Sequence, residues 1–178
     1  PLLKKPAPYR ITFAVGGAGA YKELGTEILG GIVPLLERAE CELNLVAGTR
    51  KEVAEYWEKS MERQGLTKFL GKSVRIMCVR TKAQAFEQLE RTLEKTDILW
   101  TKPSELSFYA ALGIPIIIAP PIGSQEVQNR KWLLYVGAGT DQLPPAVCHE
   151  WMSDLVRKGT LAEAAMQGFV EIEKEGTK

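Results

Sequence analysis

Residues 16–20 read Gly-Gly-Ala-Gly-Ala and directly follow the apolar run 11–15. Glycines at such a point let the backbone close on a phosphate, and a helix beginning just after would aim its free N–H groups and positive dipole end at the anion. The spacing narrows the chemistry. Counted from Gly17, a dinucleotide fingerprint needs a third glycine where Lys22 stands, and no Asp or Glu closes the second apolar run to take a ribose hydroxyl, so NAD is disfavoured. No Gly-Lys-Ser/Thr follows at the distance a P-loop requires. A tight strand-to-helix turn with no ligand remains the alternative. Further along, Gln125 and Asn129 stand four apart in a helical stretch, so they share one exposed face and could meet a ligand together; a plain solvated face is the alternative. His149 is the sole histidine and a natural suspect for a general base, but it lies far along in a helical tail, where a packed or surface histidine is the better reading.

The elements that must position these residues follow from periodicity. Apolar runs at 11–15, 43–47, 74–79, 97–100 and 114–119 predict strands, the last with the unbroken apolar character of a strand buried on both faces. Between them lie helical patterns: one through Leu24, Ile28, Ile32 and Leu36, a charged one over 51–64, one over 83–94 with Phe86, Leu89 and Leu93 on one face, and a short one over 104–112. A further helix is predicted over 125–135, and helices dominate from residue 146 onward. Trp132 and Trp151 fall among apolar neighbours and read as core. Strands alternating with helices at this spacing predict an α/β fold: a doubly wound, mostly parallel, Rossmann-like sheet with a helical C-terminal tail. In such sheets ligands sit at the carboxyl ends of the strands, the edge on which the loops above should gather.

Composition sets the bounds. A length of 178 residues with 45% hydrophobic content supports one core, read as a domain over 10–178 preceded by a Pro- and Lys-rich, linker-like segment over 1–9 that suggests the middle of a longer protein. Lys and Arg number 23 against 22 Asp and Glu, so no nucleic-acid footprint is expected and any anionic ligand must be held locally. Cys41, Cys78 and Cys148 are odd in number and widely spaced, showing neither a disulfide framework nor zinc-ligand spacing; no metal and no cofactor is expected. No apolar run approaches a spanning helix and residues 1–10 lack a signal-peptide core, which leads us to expect a cytoplasmic protein that reaches a membrane only peripherally, through a partner.

One longer stretch carries a resemblance. From Thr96 to Leu133 the chain holds Asp97-Ile-Leu, Lys102-Pro103, a short helix, Gly113-Ile-Pro, an apolar strand, Pro120-Pro121, then Gln125-Glu126 and Asn129. With the glycine loop, Gly48-Thr49 and Gly137-Ala-Gly139 in the same order, this resembles the C-terminal, donor-binding domain of the GT-B glycosyltransferases. That family includes the peptidoglycan N-acetylglucosaminyltransferase and monogalactosyldiacylglycerol synthase. The likeness implies a donor-binding set of Gly16, Gly17, Ala18, Gly19, Thr49, Lys102, Ser104, Glu105, Gln125, Glu126 and Asn129. In it Glu105, behind Ser104 as N-cap, takes ribose hydroxyls, and the Gln125–Asn129 face meets the sugar. Here Ser104-Glu105 replaces the family's Gly-Gly pair, and anchoring on Gly113 puts Phe108 at the family's Glu position; a carboxylate that merely complements a helix N-terminus is the alternative for Glu105. The implied function is transfer of a hexose or N-acetylhexosamine from a UDP-sugar to an acceptor held by an N-terminal domain or separate partner chain, with no catalytic residue in this chain. The alternatives are a non-catalytic nucleotide-sugar or assembly module, and the separate donor subunit of a split transferase.

Overall fold

The structure, a computed structural model, describes residues 7–14, 21–104 and 106–172. All five residues of the glycine loop singled out above (16–20) and Glu105 lie outside the described residues, as do most of the linker-like segment and the last residues of the tail.

Along the chain run β1 (Tyr9–Ala14), α1 (Lys22–Gly31), α2 (Val33–Glu37), β2 (Cys41–Gly48), α3 (Lys51–Arg63), β3 (Val74–Cys78) and α4 (Lys82–Leu93). They are followed by β4 (Ile98–Thr101), α5 (Leu106–Ala111), β5 (Ile116–Ile118), α6 (Ser124–Val136), β6 (Gly139–Asp141), α7 (Cys148–Arg157) and α8 (Thr160–Glu171). The strands form one six-stranded sheet in the order β3-β2-β1-β4-β5-β6, every pair parallel. The chain steps outward from β1 on one side and restarts at β4 on the other, so the switch point of the doubly wound sheet lies between β1 and β4.

Three departures from the sequence reading have local causes. The first helix does not continue through Leu36: it ends at Gly31 and a new turn starts with Pro34 in its first positions, because proline has no N–H to bond back and its ring clashes with the preceding turn. The sixth strand, Gly-Thr-Asp, has no apolar alternation to betray it. Its place comes from α6 ending at Gly137, with φ +77°, and from Gly139, where a Cβ would stand 2.7 Å from the Ile116 carbonyl oxygen. Finally, α4 buries only Thr92 and Leu93, while Phe86 is 66% exposed, so its apolar face is not sealed on the sheet.

One sheet face is closed along its length. Ile11, Phe13, Leu43, Leu45, Val74, Trp100 and Ile117 pack there against α1, α3 and α7. Edge-to-face aromatic contacts thread it, with Phe13–Trp57, Phe13–Trp100 and Trp100–Trp151 centroids 6.1, 6.4 and 5.3 Å apart. Trp151 is therefore core as predicted, whereas Trp132 is 38% exposed on α6 and is not. The opposite face forms an apolar cluster over β4 and β5, where Leu99, Ile116 and Ile118 meet Leu106, Ala110 and Leu133.

Helix α1, which follows the glycine loop, is fixed by close approach. A Cβ on Gly25 would stand 2.5 Å from the Trp57 indole nitrogen, and that N–H donates to the Lys22 carbonyl at 2.8 Å. Only glycine lets α1 and α3 come this near.

Candidate functional site

The sequence-predicted residues follow four neighbouring strands, β2, β1, β4 and β5, all at their carboxyl ends. At the switch point β1 and β4 end level, Ala14 opposite Thr101. Beyond Thr101, Lys102 to Ser104 turn sharply: the Ser104 N–H donates to the Lys102 carbonyl at 2.8 Å and the Leu106 N–H to the Ser104 carbonyl at 2.9 Å.

Helix α6 braces that turn. Asn129 Nδ2 donates to the Pro103 and Ser104 carbonyls at 3.0 and 3.1 Å, and its Oδ1 accepts from Gln125 Nε2 at 3.1 Å. Lys102 Nζ lies 2.9 Å from Glu126 Oε1, a pair with side chains only 22% and 16% exposed, and the other carboxylate oxygen accepts the Ile122 N–H at 2.9 Å. Burial opposes ionisation of Glu126, yet the Ile122 N–H and the Lys102 ammonium outweigh it and hold its carboxyl below the ordinary range. A third tie comes from the start of α1, where the Tyr21 hydroxyl donates to the Pro120 carbonyl at 2.5 Å. Burial, and after it the Glu126 charge, raises that phenol, so it stays a hydroxyl donor. The start of α1, the β4–α5 turn and the β5–α6 turn are thus cross-linked by side chains at one end of the sheet.

The residues divide by what they have left to offer. Gln125 is exposed, and only its amide nitrogen is committed to the brace. Asn129, read from the sequence as part of the same exposed face, is half-buried, and its amide is committed on both sides. Lys102 and Glu126 neutralise each other. Ser104 is half-buried on the turn, and Thr49 is exposed one strand beyond β1, after Gly48. Tyr21 was not among the predicted residues; its signal was its position at the end of the glycine loop, ahead of α1.

His149 is not part of this group. Its Nδ1 lies 3.0 Å from the Gly31 carbonyl, at the far end of α1, which runs from the carboxyl edge back to the amino edge. The buried thiols of Cys41 and Cys148 are pushed up to about 12 by desolvation first, so neither is a nucleophile at neutral pH. Among the described residues no group of His, Cys, Asp and Glu could hold a metal ion, and no helix is long and apolar enough to cross a membrane.

No family model and no curated protein matches the sequence. Solved structures do match the fold. Acinetobacter baumannii MurG superposes with a TM-score of 0.64 at 19% identity, over 97% of this chain and 48% of that one. The glycosyltransferase SnogD from Streptomyces nogalater gives 0.58 at 20%, over 94% and 40%. UDP-GlcNAc 2-epimerase from Neisseria meningitidis, bound to UDP-GlcNAc, gives 0.58 at 11%, over 90% and 39%. The chain spans less than half the length of each. Strand order, all-parallel pairing and these superpositions together define the fold as Rossmann-like, one half of a GT-B architecture.

Proposed function

We propose that this chain is the donor-binding half of a glycosyltransferase, holding a UDP-linked hexose or N-acetylhexosamine for transfer to an acceptor supplied by an N-terminal domain or a partner chain. The observation that carries the reading is the set of cross-braced turns at the switch point, where Tyr21 at the start of α1 is tied to the β5–α6 turn and the Lys102–Glu126 and Asn129 bonds brace the β4–α5 turn. These turns are held by their own bonds, so a ligand would not have to order them. The glycine loop Gly16 to Gly19 and the 13-residue helix α6 would turn N–H groups toward a diphosphate, and Gln125 would meet sugar hydroxyls. During transfer those donors would stabilise charge growing on the departing diphosphate, each worth about 3 kcal/mol when well placed. The acceptor needs a base, and His149 stands at the wrong end of α1 to supply it. Neighbours that include two glycosyltransferases and a UDP-GlcNAc-bound epimerase support the ligand class. The epimerase likeness also favours a second reading, the corresponding half of a UDP-sugar epimerase. Calorimetric titration with UDP-GlcNAc, UDP-glucose and NAD tests the proposal. A UDP-sugar should bind with a Kd of about 10 μM to 1 mM and NAD should not; heat from none of them at millimolar concentration would overturn it.

A further inference from the structure

The second face of the sheet changes character at β1. Over β4 and β5 it is covered and apolar, but over β1 to β3 it presents Arg10, Thr12, Glu42, Asn44, Arg75 and Met77 by strict alternation with the core residues. Helix α4 crosses only part of it and leaves an open groove of about 850 Å³, in the range of small-molecule sites and lined by no residue of the loops after β4 and β5.

Two acceptors in this groove have no partner. Asn44 is only 4% exposed, and its Oδ1 receives no hydrogen bond; the same holds for the buried Oε1 of the half-buried Gln88 on α4. A chain of bonds fixes which end of the Asn44 amide is left unbonded. Thr96 Oγ1 donates to the Thr92 carbonyl at 2.8 Å, so it must accept from Thr12 Oγ1 at 2.7 Å, and Thr12 in turn must accept from Asn44 Nδ2 at 3.3 Å. The free atom is therefore the carbonyl oxygen, which needs a donor. The groove is lined by five cations and two carboxylates. Arg10 and Arg75 share Glu42, at 3.4 and 2.7 Å, and Arg91 pairs with Glu87 at 2.6 Å. Arg80 and Lys95 have no carboxylate partner among the described residues.

Orphaned acceptors beside surplus cations call for a ligand that offers hydroxyl donors and an anion together. We propose that the groove between α4 and the β2–β3 face binds a hydroxylated phosphate ester, its hydroxyls donating to Asn44 Oδ1 and Gln88 Oε1 and its phosphate meeting Arg80. The chemistry fits a free sugar phosphate or a glycerophospholipid headgroup. This site is separate from the proposed donor crevice.

The test is a titration of the isotope-labelled chain at fixed ionic strength with glucose 6-phosphate, inorganic phosphate and UDP, alongside sedimentation with phosphatidylglycerol vesicles. The proposal expects saturable shifts of the Asn44 and Gln88 side-chain amides with glucose 6-phosphate, or vesicle binding that the sugar phosphate does not match, which assigns the source. Inorganic phosphate should bind at least fivefold more weakly, and Arg80→Gln should weaken the preferred ligand at least fivefold with unchanged thermal unfolding. UDP should move other residues, such as Ser104 and Gln125, and should do so equally in Arg80→Gln, so failure at one site is told apart from failure at the other. No saturable shift at Asn44 and Gln88 together with no vesicle binding, or inorganic phosphate matching the better ligand, would overturn the proposal and leave a solvated sheet face holding water.

Discussion

The aromatic core under the sheet and the crevice wall at its carboxyl edge are built from different kinds of contact. Phe13, Trp57, Trp100 and Trp151 interlock across β1, β4, α3 and α7 with their indole N–H groups satisfied; Trp100 Nε1, for example, donates to Gln142 Oε1 at 2.9 Å. The wall instead holds two turns with a handful of directional bonds from α6, and leaves Gln125 outward. Burial makes the core insensitive to ligand, whereas the wall owes its shape to groups that a ligand would also see. Substitutions should therefore split stability from recognition.

Trp100→Ala should show the largest effect, because Trp100 is fully buried and touches two other aromatic rings. A loss of about 3–5 kcal/mol in denaturant unfolding is expected, with donor affinity unchanged wherever the chain remains folded. A loss below 1 kcal/mol would mean the core is not what fixes the sheet. Asn129→Ala stands between the regions. It removes the Asn129 donor from the Pro103 carbonyl and leaves the Ser104 carbonyl with the Leu106 N–H alone, and should cost about 1–3 kcal/mol while weakening UDP and UDP-sugar alike, since it moves a turn rather than removing a sugar contact. Discrimination between the two ligands in this variant would return Asn129 to direct contact.

The Lys102–Glu126 brace has a pH signature. The folded carboxyl titrates below its ordinary value of 4.5, so the stabilisation it gives is fully present above that value and is lost as pH falls through the lower, folded one. The gap in melting temperature between the wild type and Glu126→Gln should be constant from pH 7 to about 5 and close at lower pH. A gap that widens on acidification would contradict the assignment. Gln125→Ala should be the mildest, within about 0.5 kcal/mol in stability, since its side chain is exposed. Its effect should instead be on recognition, weakening UDP-sugar by about 1–2 kcal/mol and UDP hardly at all, as measured by calorimetry.

Much of this was legible in the sequence, in a pattern that physics explains. Five strands announced themselves by apolar runs whose meaning is local, and the gathering of the loops at one edge followed from parallel topology. The break before Pro34 was also written there, in a residue that cannot continue a helix, but the apolar spacing through Leu36 masked it. What could not be read was anything set by a distant partner. Four-residue spacing put Gln125 and Asn129 on one face, yet only the fold brings the Pro103 carbonyl to Asn129 and not to Gln125. Likewise the alternation of Glu42 and Asn44 with leucines marked a polar face, while nothing in the sequence said that α4 would leave it open.

The central claim is that the braced crevice is where a nucleotide donor sits, and position-resolved NMR titration with UDP tests it most directly. A donor bound there should give saturable amide shifts concentrated at Thr49, Ser104 and Gln125 on the carboxyl edge, with His149 and the α7 core unmoved. Saturable shifts at the amino edge around His149, or no shift anywhere up to several millimolar UDP, would contradict that claim.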